Sequence, residues 1–324
     1  RQMCIRDRIR GVQSMQKRKI WENFLQWVLP CVLLVIALVL SIYDFNNKME
    51  IAIQTVVDDQ AEQIGLYYAA GVEDKLKALG NITDAVASIM AARLDRGEAF
   101  LNEKLDTLMK ASDAYMVVYC ATNGTGFLND RRQIDMTELN YYDSILGETP
   151  HYLFTRSDGI NGQMAFIYVC PITNSGNVNG YLLSYMEPAE MSDLFENSVY
   201  GDRAFFSSVD RNGTIMACYG ATQGTKILQN DFWNSLKGVA ESLGSWTLFD
   251  RQQQKGDNGI LHVNENGVGK ILCHFPMADT ALNLVVGIDE SYLSGIQQSF
   301  RGPIVDLIVK ISISIAAALI VILS

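Results

Sequence analysis

Four blocks of this sequence occur twice and in the same order, so the chain must fold as two related modules rather than around one large core. The first block is a turn: Asn123-Gly124-Thr125 returns as Asn212-Gly213-Thr214, each between apolar runs, as a hairpin requires. Tyr141-Tyr142-Asp143-Ser144-Ile145 with Gly147 then returns as Phe232-Trp233-Asn234-Ser235-Leu236 with Gly238. Leu153-Phe154-Thr155-Arg156 returns as Leu248-Phe249-Asp250-Arg251. Last, Cys170-Pro171, the strand from Leu182 to Met186 and a short helix from Glu187 to Leu194 return as Cys273 with Pro276, the strand from Leu284 to Ile288 and a helix from Asp289 to Ile296. The spacing between copies grows along the chain because the second gains residues around Gln252 to Leu261. Each copy reads as a hairpin, a short helix and three strands around one antiparallel sheet.

One face of such a sheet must be covered. Upstream, apolar or small residues recur in steps of three and four at Ile53, Val57, Ala61, Ile64, Tyr68, Val72, Leu76, Leu79, Ile82, Val86 and Ile89. That spacing predicts a long amphipathic helix from Asp44 to Leu94 that covers both sheets. A break at Asp95-Arg96-Gly97 precedes a shorter helix with Leu101, Leu105 and Leu108 on one face.

Two apolar runs frame this body. The run from Phe24 to Tyr43 is almost wholly apolar, and about 20 residues at about 1.5 Å each match a bilayer core of about 30 Å. Gln16-Lys17-Arg18-Lys19 precedes it and Asp44 follows it, which places the N-terminus in the cytoplasm and the body outside. Ser41-Ile42-Tyr43-Asp44 offers no clear cleavage site, so an uncleaved anchor is expected. The second run, Ile304 to Ser324, carries Asp306 and Lys310 four apart on one helical face, where they can pair or reach the interface. It is still apolar at Ser324, so a cytoplasmic portion is expected beyond it. Arg1 to Arg8 reads as translated adapter sequence and Met15 as the expected start; residues 1–14 are set aside from the fold.

Charge and motif content exclude several functions. Residues 1–20 hold seven Arg or Lys against one acid in a chain of net charge −10, so the body is acidic and nucleic acid is not an expected partner. Six cysteines without CxxC and three histidines without HxxxH or HExxH give no metal-ligand spacing, and no cofactor is expected. His151, His262 and His274 stand apart with no nucleophile motif, so no catalytic residue is nominated and the chain is not read as an enzyme. Asn-x-Thr triplets begin at Asn81, Asn123 and Asn212, and the last two are turns.

The chain resembles the double Cache family of bacterial sensor ectodomains, in which a membrane-derived helix runs along two stacked PAS-like modules. The likeness covers about residues 44–300. Its carriers are the two NGT hairpins, the YYDSILG segment, the strand from Met164 to Pro171, the GYLLSYM strand with its short helix, and Tyr200-Gly201-Asp202-Arg203 before Ala204-Phe205-Phe206. The resemblance implies an α+β fold: a long N-terminal helix with two tandem PAS-like antiparallel-sheet modules, flanked by two transmembrane helices. The domain plan is a cytoplasmic N-terminus (1–23), a first transmembrane helix (24–43), the long and connecting helices (44–111), a membrane-distal module (112–198), a membrane-proximal module (199–300) and a second transmembrane helix (304–324).

In that family the ligand sits in the distal module against the segment matching Tyr141 to Gly147, which nominates Tyr141, Tyr142, Arg156 and Tyr168. Aromatic rings give contact area with a polar tip, and a guanidinium can fork onto a carboxylate or phosphate. Core tyrosines and an Arg156 paired to Asp158 or Asp143 are the plainer alternative, and Arg251 at the matching place of the second copy favours a shared structural role. The family's amino-acid signature is incomplete here, so no amino-acid ligand is assigned. Cys170 and Cys273 at matching strand positions invite a redox reading, but a PAS-like strand order 2-1-5-4-3 separates Cys120 from Cys170 and Cys218 from Cys273, leaving buried small hydrophobes as the better account. By resemblance the chain is the small-molecule-sensing, membrane-inserted, homodimeric input of a receptor with its ectodomain outside the cytoplasm. A diguanylate cyclase is the favoured output, with a histidine kinase or chemoreceptor as alternatives; a tethered binding protein is the rival from another class.

Overall fold

A computed structural model describes residues 2–93, 96–196, 203–220, 227–228, 231–277, 280, 282–292 and 306–314, with the side chains of 2–32 and a few others left aside. The chain divides into two compact units, Arg1–Val57 with Leu293–Ser324, and Asp58–Tyr292. The second unit carries the sheets.

Helix α1 runs over Gln2–Ala91, and α2 follows at Glu98–Ala111. The expected stripe is buried at Ala61, Tyr68, Val72, Leu76, Leu79 and Val86, whereas Ile89 is exposed and Met90 takes the buried place. Gly97, at φ 85°, separates the helices, and Leu101, Leu105 and Leu108 are the buried face of α2. Leu94, the end of the expected helix, and Asp95 of the expected break lie outside the described residues.

The first module has strands β1 (Met116–Ala121), β2 (Thr125–Leu128), β3 (Gln133–Asp135), β4 (His151–Thr155), β5 (Ala165–Asn174) and β6 (Asn177–Met186), with the short helix α3 (Tyr142–Ile145). Their order is β3-β2-β1-β6-β5-β4. A 3₁₀ turn, Pro188–Met191, and α4 (Ser192–Glu196) follow where the short helix is expected. The second module has β7 (Ala204–Asp210), β8 (Ile215–Gly220), α5 (Phe232–Val239), α6 (Leu243–Lys255), β9 (Gly259–Glu265), β10 (Val268–Pro276) and β11 (Leu282–Asp289), in the order β8-β7-β11-β10-β9. All pairs are antiparallel. Each sheet thus has the 2-1-5-4-3 order, with β3 added at one edge of the first. That order keeps Cys120 and Cys170 on strands separated by β6, and Cys218 and Cys273 separated by β7 and β11.

The two NGT turns have one geometry. Gly124 and Gly213 take φ 86° and 83°, a region that costs glycine nothing, and their amides reach the carbonyls of Ala121 and Asp210. The ladders then correct two of the sequence matches. Leu248-Phe249-Asp250-Arg251 lies inside α6, not in a strand, so the partner of β4 is β9 and Arg251 says nothing about Arg156. On the fourth strand of each sheet, Pro171 faces Tyr181, which faces Cys120; Pro276 faces Asn283, which faces Val209. Counting from the matched turns, Cys120 and Val209 are equivalent, so Pro171 matches Pro276, Val169 matches His274, and Tyr168 matches Cys273. Cys170 and Cys273 are not equivalent.

Among the described residues no helix is long and apolar enough to cross a membrane. Ile304, Val305 and residues 315–324 of the second expected span lie outside the described residues, as do the side chains of 24–32 in the first. Asp306 and Lys310 do pair, at 2.5 Å. Tyr200, Gly201 and Asp202, and residues 293–296 of the helix expected from Asp289 to Ile296, also fall outside.

Candidate functional site

Strand alternation gives each sheet two faces with different work. In the first module Met116, Val118, Ile167, Val169, Leu183 and Tyr185 point away from α1 into a core closed by Tyr141, Ile145 and Met136. The residues between them turn to the helix. Tyr168 donates to the Asp84 carboxylate at 2.9 Å, Ser184 and Thr83 share a hydroxyl bond of 2.7 Å, and Tyr152 donates to the Leu76 carbonyl at 2.8 Å. These three contacts fasten α1 to the sheet.

The outer face carries a candidate site. A cleft of about 510 Å³ opens there, lined by Arg132, Ile134, Asp135, Glu138, Leu139, Asn140, Ser157, Gly159 and Ile160. Its rim is organised by Asp158, a fully buried carboxylate. Oδ1 accepts from the amides of Ile160, Asn161 and Gly162 at 2.9, 2.7 and 2.8 Å, and Oδ2 accepts the Tyr115 hydroxyl at 2.8 Å. Burial pushes this carboxyl up, and those hydrogen bonds outweigh it, so its pKa lies below the usual carboxylate value. Tyr141 donates to the Asp158 carbonyl at 2.7 Å, and its oxygen lies 3.2 Å from that of Tyr185. Burial, the larger cause, and the nearby Asp158 push the Tyr141 phenol up to about 12, so the network stays protonated.

Sequence reasoning gathers Tyr141, Tyr142, Arg156 and Tyr168 into one pocket, and the structure separates them. Tyr141 is buried beside the Asp158 loop and Tyr142 packs half-buried against the same core. Arg156 is exposed, next to the cleft residue Ser157. Tyr168 lies on the opposite face, its hydroxyl held by Asp84, because it is an even position of β5 while Ile167 and Val169 face the core. Its own surroundings are a second cleft of about 360 Å³ along α1, shared with Glu73, Lys77, Gly80, His151 and Tyr152. Arg132, Glu138 and Asn140 were missed. The signal for them was weak: a polar stretch after a hairpin, with β3 too short to register as a strand.

No family model matches the sequence, and no curated protein matches it. Solved structures do. The extracellular domain of the histidine kinase rpHK1S-Z16 aligns over 75% of this chain and 98% of its own, at 15% identity and a TM-score of 0.56. The ligand-binding domain of the Pseudomonas fluorescens chemoreceptor CtaA, solved with L-isoleucine, aligns over 76% and 97% at 13% identity and 0.58. That of the Campylobacter jejuni chemoreceptor Tlp3, solved with L-valine, aligns over 76% and 98% at 15% identity and 0.57. Each of these domains is matched almost end to end by a helix and two tandem sheets. The chain therefore has the double Cache fold.

Proposed function

We propose that this chain is the extracytoplasmic sensing region of a bacterial transmembrane receptor, and that a small polar molecule binds the outer cleft of the first module. What carries this reading is the likeness, over nearly the full length of receptor sensory domains, of a fold that places a polar cleft on one sheet face and helix-fastening bonds on the other. Arg132 offers a guanidinium and Asp135 and Glu138 offer carboxylates, a lining that suits a molecule with both an acidic and a basic group. Tyr141 holds the Asp158 loop that borders that space, and Arg156 precedes its lining residue Ser157. The chemoreceptor domains of this fold hold L-isoleucine and L-valine, which makes branched amino acids the first compounds to test.

Signal transfer follows from the alternation of β5 and β6. An occupant that shifts Ile167, Val169 or Tyr185 moves Tyr168 and Ser184 with them, and those two grip Asp84 and Thr83 of α1. A ligand moves such an equilibrium only by its differential affinity, and taking a receptor from about 1:99 to 99:1 needs about 5.5 kcal/mol. The runs 24–43 and 304–324 serve as membrane helices in this reading, with the receptor a homodimer. The solved sensory domains come from a histidine kinase and chemoreceptors, which favours those outputs over a cyclase.

The test is a thermal-shift screen of the whole chain in nanodiscs against amino acids and other metabolites. A true ligand at about 100 times its dissociation constant stabilises by about 2.7 kcal/mol and is recovered unchanged. Arg132→Ala should weaken it about tenfold, the loss of one charge-assisted hydrogen bond. Consumption of the compound, or binding indifferent to Arg132, Asp135 and Glu138 together, would overturn the assignment.

A further inference from the structure

Asn283 is only 5% exposed, yet its carboxamide makes no hydrogen bond among the described residues. Buried side-chain amides in native proteins are nearly always paired, so an idle one asks for an explanation. Its place in the sheet supplies part of it. Asn283 lies at one end of β11, opposite Pro276 of β10 and Val209 of β7, on the face whose Val209 and Val285 form the outer core. The equivalent residue of the first module is Tyr181, opposite Pro171 and Cys120, and there the ring packs into the core. Asparagine in place of tyrosine leaves a space at this end of the second sheet, with a polar group facing it.

That space is a cleft of about 490 Å³, and Asn283 is part of its lining. Arg211, from the turn after β7, and Lys255, from the last turn of α6, line it as exposed residues. Among the described residues neither cation is paired with a carboxylate, and no carboxylate lines the cleft. Asp210, beside Arg211, is turned into its own loop, where Oδ1 accepts the amides of Asn212 and Thr214 at 2.8 and 2.7 Å. Thr280 is also occupied: its hydroxyl donates to the Met277 carbonyl at 3.1 Å and accepts the Leu282 amide at 3.2 Å. His274, whose ring nitrogens make no hydrogen bond among the described residues, is fully buried and does not line this cleft. In a chain of net charge −10, two unpaired cations at the mouth of a cleft with a neutral amide at its buried end are matched to an anion.

A carboxamide offers a donor and an acceptor side by side. It therefore suits a primary amide or a hydroxyl, and it disfavours a second carboxylate, whose charge would face Oδ1. A guanidinium and an ammonium at the mouth suit one carboxylate. We propose that the second module holds its own binding site for a short organic carboxylate with an amide or hydroxyl at its far end. The carboxylate lies between Arg211 and Lys255, and the far group sits on Asn283. This site is separate from the cleft of the first module, with which it shares no lining residue.

Calorimetric titration of the whole chain in nanodiscs with succinamate and 4-methylpentanoate tests this, because the second probe replaces the amide of the first by an isopropyl group of similar shape. The expected result is saturable binding of succinamate, about tenfold tighter than 4-methylpentanoate, the net worth of one hydrogen bond. Asn283→Leu, a change of similar size, should bring the two probes to equal affinity. Arg211→Ala with Lys255→Ala should weaken succinamate by about tenfold or more; both positions are exposed, so this variant keeps the test decisive even if Asn283→Leu does not fold. Arg132→Ala, in the cleft of the first module, should leave succinamate binding unchanged. The absence of saturable succinamate binding, a preference that survives Asn283→Leu, or binding lost with Arg132 would each overturn the proposal and leave Asn283 as an amide hydrated from the cleft.

Discussion

At the scale of single residues, two buried ionisable groups behave in opposite ways. Asp158 is fully provided with donors, three backbone amides and one phenol, and its replacement leaves all four without an acceptor. Asp158→Ala should cost about 2–4 kcal/mol in urea denaturation and loosen residues 157–163, read as faster amide exchange there. Because its folded pKa is depressed, the stability it gives is present above the unfolded carboxylate value and is lost as pH falls through the folded one. His274 is provided with nothing. Burial lowers its pKa from 6.5 to about 4, opposed only in part by Asp257, so the folded state holds the neutral ring. The unfolded chain therefore binds the extra proton first, and stability falls as pH drops from about 6.5 towards 4, by about 3 kcal/mol over the window. His274→Val should remove that part of the pH dependence, measured by chemical denaturation at stepped pH. Neither environment was legible beforehand: Asp158 entered the sequence reading only as a partner for Arg156, and His274 only as a histidine without a catalytic companion.

Among the elements, the hairpin turns, α3, α5 and the paired strands β5/β6 and β10/β11 were legible because each is fixed by local chemistry: a glycine at positive φ, an alternation, a short amphipathic turn. The error was α6. Leu248-Phe249-Asp250-Arg251 looks like Leu153-Phe154-Thr155-Arg156 only when its borders are ignored. Ser242 caps the helix by accepting the Ser245 amide at 3.0 Å, and Gly256 ends it at φ 76°, with Trp246 and Phe249 on one buried face. Those start and stop signals stand in the sequence and outweigh a four-residue match. The contact of α1 with β10 gives the element-scale prediction. Gly65→Leu would drive its side chain into Phe275, whose ring is walled by the sheet, and overpacking of this kind should cost about 1–3 kcal/mol despite the better helix propensity. Gly71→Ala, whose added Cβ would meet Leu194 at an ordinary 3.5 Å, is the control expected to leave the midpoint unchanged or slightly raised.

For the molecule as a whole, one helix serves two sheets. Asp58 pairs with His262 of β9 at 3.0 Å, Tyr68 packs on Phe206 of β7 at 4.5 Å, and further along Leu76, Thr83 and Asp84 meet the first module. Neither sheet has its inner face covered without that helix, so the body from Asp58 to Tyr292 should unfold in a single transition, with calorimetric and van't Hoff enthalpies equal. Two separated transitions would show that each module covers itself. The two-module plan and the covering helix were readable from the sequence because repetition and a heptad-like stripe are properties of long stretches. Which face of β5 a given tyrosine occupies depends on a register of one residue, and there Tyr168 fell on the wrong side.

A helix that must meet two fixed surfaces is also a ruler. Its contact stripe stays in phase from Asp58 to Asp84 at about 3.6 residues per turn, so losing or gaining seven residues between them nearly restores the facing, while a change of two turns one end about 200° away from its sheet. Length differences among natural chains of this architecture should therefore gather in places such as the Asn174–Gly176 hairpin and the Gly256–Asn258 bend, and between residues 61 and 83 they should occur only as whole turns.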